Sequence, residues 1–181
     1  MMEKLIVYGS QYGTTKQYAE KCSEMTGIPA VEYRNGKGLN QYDLIIYFGG
    51  LYAGNVKGLK KTVKGLREGI KLMVVTVGLA DPRSKTNAAN IMKSVKKQVP
   101  ERLLPNMAVF GLRGGIDYKK LSFQHRAMMA FLIAHLKKVP EEKRTEETKA
   151  MIETYHSAVN FVDFHSLDQI AEAIWAEEER K

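Results

Sequence analysis

The feature that most constrains the fold is an alternation of short apolar segments with segments of helical periodicity. Most of the apolar segments are uninterrupted, which is typical of strands buried on both faces of a sheet. Five strands are predicted, at Leu5–Tyr8, Pro29–Tyr33, Leu44–Phe48, Leu72–Val77 and Met107–Phe110. The helices predicted between them are Thr15–Met25, a helix with Val56, Leu59, Val63 and Leu66 on one face, and a helix with Ala88, Ile91, Met92, Val95 and Val99 on its inner face. This alternation predicts an α/β fold with a parallel sheet covered on both faces.

The final third of the chain departs from this alternation. Two helices are predicted at Tyr118–Val139 and Pro140–His156, followed by a strand at Ala158–Asp163. Ser166-Leu167-Asp168-Gln169 has the form of a capping box that opens the last helix. That helix is predicted to present four residues to the core, Leu167, Ile170, Ala171 and Ile174. We interpret Arg113 to Ser157 as a helical insertion in a single domain that spans residues 1–181.

The length and composition fit one globular domain. The chain has 181 residues, of which 44% are hydrophobic, enough for a full core and typical of a folded rather than a disordered protein. No apolar run approaches the roughly 18 residues of a membrane span, and no signal peptide is predicted. The single cysteine, Cys22, excludes an intrachain disulfide and a cysteine-ligated metal cluster, and its helical spacing predicts a core position. A cytoplasmic protein is expected.

The formal net charge is +8. This balance favours anionic partners, such as acidic proteins or membrane headgroups, or else it is simply a solvated surface. Nucleic acid is also an anion, but no nucleic-acid partner is expected. The cations are scattered along the chain rather than concentrated in a tail, which supports the solvated surface. The four histidines lack metal-ligand spacing with carboxylates, so no metal site is predicted.

The junction between the first strand and the first helix carries the strongest chemical signal. The strand ends at Gly9, and the loop Ser10-Gln11-Tyr12-Gly13-Thr14-Thr15 leads into a helix. Helix N-terminal amides beside the hydroxyls of Ser10, Thr14 and Thr15 form a neutral cradle that suits a phosphate. The loop follows the carboxyl end of a strand, where open parallel sheets bind ligands. An ordinary turn with a helix cap is the alternative.

Two further loops are predicted to share this site. Glycines after the third strand let the backbone approach a flat ligand closely, and Tyr52 is placed to stack on an aromatic ring. The loop after the fourth strand is placed to offer backbone hydrogen bonds to a ring edge. The predicted binding residues are Gly50, Leu51, Tyr52, Ala53 and Gly54, and Thr76, Val77, Gly78, Leu79, Ala80 and Asp81. The absence of G-x-x-x-x-G-K-[ST] and of G-x-G-x-x-G after the first strand argues against P-loop and dinucleotide-binding classes.

The first loop resembles the phosphate loop of flavodoxins, whose usual form is [ST]-x-[ST]-G-x-[ST]. Ser10, Gly13 and Thr15 match this pattern, and Tyr12 replaces the middle hydroxyl. The resemblance implies FMN as cofactor and a three-layer sandwich whose five-stranded parallel sheet has the order 2-1-3-4-5. The interrupted last strand region is similar to that of long-chain flavodoxins, although this insertion is larger and more helical.

The chain looks closer still to the flavodoxin-domain group that includes quinone-dependent protoporphyrinogen oxidases. The shared features are the altered phosphate loop, Ala108-Val109-Phe110-Gly111-Leu112-Arg113 and the basic-aromatic segment that follows. This resemblance implies an FMN-dependent oxidoreductase that passes electrons from its substrate to a quinone at a membrane. Arg113 and Tyr118 are candidate substrate contacts. No catalytic side chain is predicted, because the flavin carries the redox chemistry.

The chain differs from ordinary flavodoxins in two respects that affect its expected function. The chain is basic, and residues 78–85 contain no aromatic that would stack on the ring, so the ring is expected to be accessible to a substrate or quinone. The basic, apolar helix at 119–139 is a candidate for contact with lipid, a quinone tail or a second subunit; alternatively, the following helix covers it. The alternative functions are a soluble electron-carrier flavodoxin acting on a protein partner, and a binding module without cofactor.

Overall fold

The computed structural model describes residues 2–52 and 54–179. The strands are β1 Lys4–Gly9, β2 Ala30–Glu32, β3 Leu44–Tyr52, β4 Asn55–Val56, β5 Lys71–Gly78, β6 Met107–Arg113, β7 Gly115–Asp117 and β8 Ala158–Asn160. The α-helices are α1 Thr14–Thr26, α2 Leu59–Val63, α3 Lys85–Lys96, α4 Phe123–Lys137, α5 Glu146–Glu153 and α6 Asp168–Glu179.

The main sheet has the order β2-β1-β3-β5-β6, and all pairs along this path are parallel. It confirms the predicted order 2-1-3-4-5 of five parallel strands, with β4 as a short extra strand beside β3. The chain moves from β1 to β2 on one side and then crosses to β3 on the other. In the register of β1, Ile6 therefore lies between Ala30 and Ile46.

Both faces of this sheet are buried, as the uninterrupted apolar strands predict. Along β1, Ile6 packs on the face covered by α1 and α6, whereas Leu5 and Val7 pack on the face covered by α2 and α3. Alternate residues of a strand point to opposite faces, so a strand between two helical layers must be apolar at every position. Cys22 lies in the first of these layers, as predicted, and burial raises the pKa of its thiol to about 11.

The third strand is longer than predicted. It does not end at Gly49 and Gly50 but continues to Tyr52 and turns back into β4, where Leu51 pairs with Val56. The prediction stopped at the first glycine, but the parallel ladder to β5 runs through both glycines. Val56 therefore lies in β4 rather than on the face of the next helix, which covers only Leu59–Val63.

The inner face of α3 differs from the prediction at Ala88, and Val99 is buried but lies beyond the end of the helix. Ala88 is exposed, and the neighbouring Asn87 is buried instead. The side-chain amide of Asn87 donates a hydrogen bond to the carbonyl of Asp81 at 3.0 Å. Asn87 was not among the residues predicted for the inner face, but a buried amide is stable where it ties a loop to a helix.

Three predictions for the last third of the chain need correction. The strand expected at Ala158–Asp163 is the shorter β8, which pairs with β7 in a separate antiparallel sheet. The two predicted helices are also shorter, since α4 and α5 leave connecting turns on both sides. The capping box is wrong: Ser166 lies inside a 3-10 turn that is capped by the Asp163 carboxylate. The core-facing residues predicted for α6 are buried.

The segment between β6 and β8 forms a small apolar core of its own. Met129 and Ile133 of α4 and Met151 of α5 pack against Leu79 and Ile116. This small core lies over the loop that follows β5, so the predicted insertion lies at the carboxyl edge of the main sheet. Among the described helices, none is long and apolar enough to cross a bilayer.

Candidate functional site

A crevice lies at the carboxyl ends of β1, β3 and β5, which are neighbours in the sheet. Its walls come from all three predicted loops. The predicted residues that line it are Gln11, Tyr12, Thr14, Thr15, Gly50, Leu51, Tyr52, Val77, Gly78 and Leu79. The strand order reverses between β1 and β3, and such switch points are where open parallel sheets bind ligands.

The loop after β1 leaves the N-terminus of α1 open. Gly13, the residue before the helix, has a φ of 94° and no side chain to cap the helix, a backbone conformation that favours glycine. The hydroxyl oxygen of Ser10 accepts a hydrogen bond from the Gly13 amide at 3.0 Å. The first amides of a helix have no partner within it, so those of Thr14 and Thr15 suit an anion.

The two threonines at this helix start have different surroundings. Thr15 is 4% exposed and lines the crevice. The Thr14 hydroxyl donates to the carbonyl of Gly115 at 3.0 Å, so it links the loop to β7. Thr15 therefore carries the hydroxyl best placed for a ligand in this loop.

Tyr12 occupies the position where a hydroxyl was expected. Its ring meets His125 of α4 edge-on, with centroids 5.7 Å apart, so the loop packs on the insertion. Its hydroxyl is buried and lies close to that of Tyr52. Burial, with a smaller effect from Tyr52, raises the pKa of Tyr12 far above its ordinary value. Tyr12 therefore stays neutral and adds no negative charge beside the phosphate cradle.

The loop after β5 presents two backbone amides to a carboxylate of the insertion. Glu147 of α5 accepts hydrogen bonds from the Leu79 amide at 2.8 and 3.0 Å and from the Ala80 amide at 2.9 Å. Burial raises the pKa of the Glu147 carboxyl, and these bonds oppose that shift. The amides predicted to meet a ring edge are thus aimed at an acceptor in the crevice.

Arg113 stands behind the same loop. Its guanidinium donates to the Leu79 carbonyl and lies over the Phe161 ring, 3.7 Å from the centroid. Tyr118, the other predicted substrate contact, is buried, and its ring meets Tyr155 edge-on at 5.3 Å. Burial raises the pKa of Tyr118 to about 12. These two residues support the crevice from different sides and do not form its walls.

The remaining predicted binding residues lie beside the crevice rather than in its walls: Ser10, Gly13, Gly54, Thr76, Ala80 and Asp81. The hydroxyl of Thr76 donates to the carbonyl of Phe110 at 3.1 Å, within the sheet. Asp81 bonds to Arg83, and this lowers the pKa of the Asp81 carboxyl. Ala53 lies outside the described residues.

Sequence reasoning missed the wall that the insertion supplies. It consists of Gly114, Gly115, Ile116, Met129, Glu147 and Met151. The periodicity of α4 and α5 indicates that Met129 and Met151 are apolar contacts, but no local signal says what they contact. Nothing in the pattern around Glu147 distinguishes it from an exposed glutamate in the first turn of a helix. In the described parts of the chain, no three His, Cys, Asp or Glu side chains are grouped to hold a metal.

Several solved structures are similar to this chain. A flavoprotein from Lactobacillus acidophilus in complex with FMN is 16% identical, with a TM-score of 0.44, over 62% of this chain and 93% of that one. Flavodoxin 1 from Bacillus cereus is 10% identical, with a TM-score of 0.43, over 76% and 99%. A flavodoxin from the domain Archaea is 14% identical, with a TM-score of 0.42, over 84% and 95%.

No curated protein matches the chain. The model of the flavodoxin domain matches residues 5–143, which include the five parallel strands, apart from Lys4 of β1, and the three loops of the crevice. The chain therefore belongs to the flavodoxin-domain family.

Proposed function

We propose that the protein is an FMN-binding oxidoreductase that passes electrons through the flavin in this crevice. The observation that carries the proposal is the open N-terminus of α1 at the switch point of the sheet, with the Thr15 hydroxyl buried beside it. Family membership and this phosphate cradle point to the same cofactor. When bound, FMN supplies the one- and two-electron chemistry, and the protein binds, orients and tunes it.

The residues present fit the phosphate end of FMN. The amides of Thr14 and Thr15 and the positive end of the α1 dipole favour a dianion there without a basic side chain. Gly13 leaves open space where a larger residue would have a Cβ. Ser10 holds the turn by accepting from the Gly13 amide. The cradle is thus preformed, and phosphate binding needs little rearrangement of the loop.

The other two loops carry groups that suit the edge of a flavin ring. Gly50, Leu51 and Tyr52 form one wall, and the backbone at Gly78 and Leu79 forms the other. The Leu79 and Ala80 amides already bind two oxygens of a carboxylate, which shows that they suit acceptor atoms. These groups would orient the ring edge and exclude water from it.

We propose further that the electron acceptor is a quinone reached at a membrane surface, as in the protoporphyrinogen oxidase type. The support comes from α4, where Phe123 and Phe131 are 79% and 78% exposed. With Ala127 between them, they form a stripe along one side of the helix. Basic residues flank the stripe, at Lys119, Lys120, Arg126, Lys137 and Lys138. Aromatic and basic side chains together suit an anionic lipid surface.

A soluble electron carrier is the second candidate. The exposed Lys60, Lys61 and Lys64 on and after α2 favour it, because they offer a basic surface to an acidic protein. In this function, electron transfer goes to a protein rather than to a quinone.

The decisive experiment begins with the flavin. Purified protein should take up added FMN with a shifted flavin absorption spectrum and quenched fluorescence; no uptake would overturn both redox functions. The reduced flavoprotein should then be reoxidised rapidly by a short-chain quinone and sediment with anionic liposomes. Indifference to both quinone and liposomes would favour the soluble carrier.

A further inference from the structure

The crevice is too small for a flavin ring in the conformation described here. Its volume is about 60 Å³, whereas small-molecule sites typically measure roughly 300–1,000 Å³. The side chains that narrow it belong to the insertion: Met129 of α4, and Glu147 and Met151 of α5. Ring binding therefore requires that part of the insertion moves.

Glu147 is the member of this wall that makes polar contacts with the β5 loop. Its two carboxylate oxygens bind the amides of Leu79 and Ala80. A Cβ placed on Gly78 would lie 2.6 Å from its Oε2, so the carboxylate rests directly on the backbone at the end of β5. It occupies the space that a ring edge needs in order to reach the same amides.

A second contact holds α5 at this position. The preceding residue, Glu146, accepts a hydrogen bond from the Ser84 hydroxyl at 2.7 Å, which joins the start of α5 to the N-terminus of α3. The hydroxyl of Thr145 caps α5 by accepting from the Thr148 amide at 3.2 Å. The first turn of α5 is thus held at two places, the loop after β5 and the N-terminus of α3.

We propose that Glu147 is an internal competitor of the flavin ring: its carboxylate occupies the Leu79 and Ala80 amides in the free protein, and FMN binding displaces it together with α5. The inference rests on the proposed FMN site. A ligand that binds only the open conformation has an apparent affinity reduced by the fraction of molecules that are open. Glu147 therefore lowers FMN affinity by stabilising the closed conformation.

The first test compares FMN dissociation constants of three proteins by fluorescence quenching. Glu147→Ala removes the competing carboxylate, and Glu153→Ala removes an exposed glutamate from the same helix. We expect Glu147→Ala to bind FMN about tenfold more tightly than the wild type, a change of about 1.4 kcal/mol, and Glu153→Ala to match the wild type. Equal or weaker binding by Glu147→Ala would overturn the inference while leaving the FMN site intact. Failure of all three proteins to bind FMN would overturn the proposed function as well.

The second test uses the wild-type protein and hydrogen exchange measured along the chain. Saturating FMN should slow exchange in the loop at 10–15 and accelerate it in α5, at 146–153, because the helix leaves its place. Unchanged or slower exchange in α5, with FMN bound, would show that the ring enters without displacing the helix and would overturn the inference.

Discussion

The guanidinium of Arg113 donates two hydrogen bonds to the carbonyl oxygen of Leu79, from Nε at 3.1 Å and from Nη2 at 2.9 Å. The amide of the same residue is bound by Glu147. Leu79 is therefore held from β6 through its oxygen and from α5 through its nitrogen. The contact from Arg113 does not depend on α5, so it fixes the loop even when the crevice opens.

Replacing Arg113 with methionine should lower the free energy of unfolding by about 1.5–3 kcal/mol, the range for hydrogen bonds that involve a charged group. The variant loses both bonds to Leu79 and the contact with Phe161. Denaturant unfolding measures this change. Arg83→Met is the matched control, because the Arg83 side chain is exposed and pairs with the neighbouring Asp81 at the surface; it should stay within about 0.5 kcal/mol of the wild type. Equal losses in both variants would contradict a specific role for Arg113.

Replacing Thr15 with leucine should weaken FMN binding by about ten- to a hundredfold. The substitution removes the buried hydroxyl and puts a bulkier apolar group beside the phosphate cradle; loss of a hydrogen bond to a charged group costs roughly 1.5–3 kcal/mol. Titration of the flavin fluorescence gives the dissociation constant. Thr15→Ser keeps the hydroxyl and should bind FMN nearly as well as the wild type. If Thr15→Leu binds FMN with unchanged affinity, the assignment of this loop is wrong.

The sheet was predictable because its signal is local. A strand between two helical layers is apolar at every position, and the runs at β1, β3 and β5 show this directly. Their ends were less predictable, since backbone pairing does not depend on side chains. Gly49 and Gly50 continue the ladder to β5 for that reason.

The loops of the candidate site were predictable, but the helices that cover them, α4 and α5, were not. Parallel strands bring their carboxyl ends together, so residues as far apart as Thr15 and Gly78 were expected to meet. The positions of α4 and α5 over those loops depend on a separate apolar core. The alternation of strands and helices does not predict that core. The contact of Glu147 with Leu79 depends on how α5 packs in it.

Replacing Phe123 and Phe131 together with serine should weaken binding to anionic vesicles by tenfold or more. Each exposed phenyl ring that enters the lipid interface contributes roughly 1.5–3 kcal/mol. The folded protein should lose little stability, because both rings are exposed. Sedimentation with vesicles that contain phosphatidylserine measures the effect.

Trp175→Ser serves as the control for this double variant, because it removes a half-exposed aromatic from a different helix, α6. Its vesicle binding should equal that of the wild type. If the wild type does not sediment with the vesicles, or if the double variant sediments equally well, α4 is not a membrane contact.

The pH dependence of stability should reveal the burial of Glu147. Burial raises the pKa of its carboxyl above the ordinary value of 4.5, so the folded protein holds this proton more tightly than the unfolded chain does. The stabilisation from this carboxyl is fully present below pH 4.5 and is lost as the pH rises through the raised pKa. In Glu147→Gln the side chain at this position does not titrate, so the variant lacks this loss of stability. Its unfolding free energy, relative to the wild type, should therefore increase as the pH rises above 4.5, with a slope of at most about 1.4 kcal/mol per pH unit, and then become constant.

Urea unfolding of both proteins across this pH range measures the difference directly. Glu153→Gln is the matched control: its side chain is exposed, and its difference from the wild type should not vary with pH. A relative stability of Glu147→Gln that is independent of pH, or that falls as the pH rises, would show that the carboxyl is not desolvated in the folded protein. Because FMN is expected to release Glu147 into solvent, saturating FMN should also abolish the pH dependence. Its persistence in the FMN-bound protein would place the carboxylate still against Leu79.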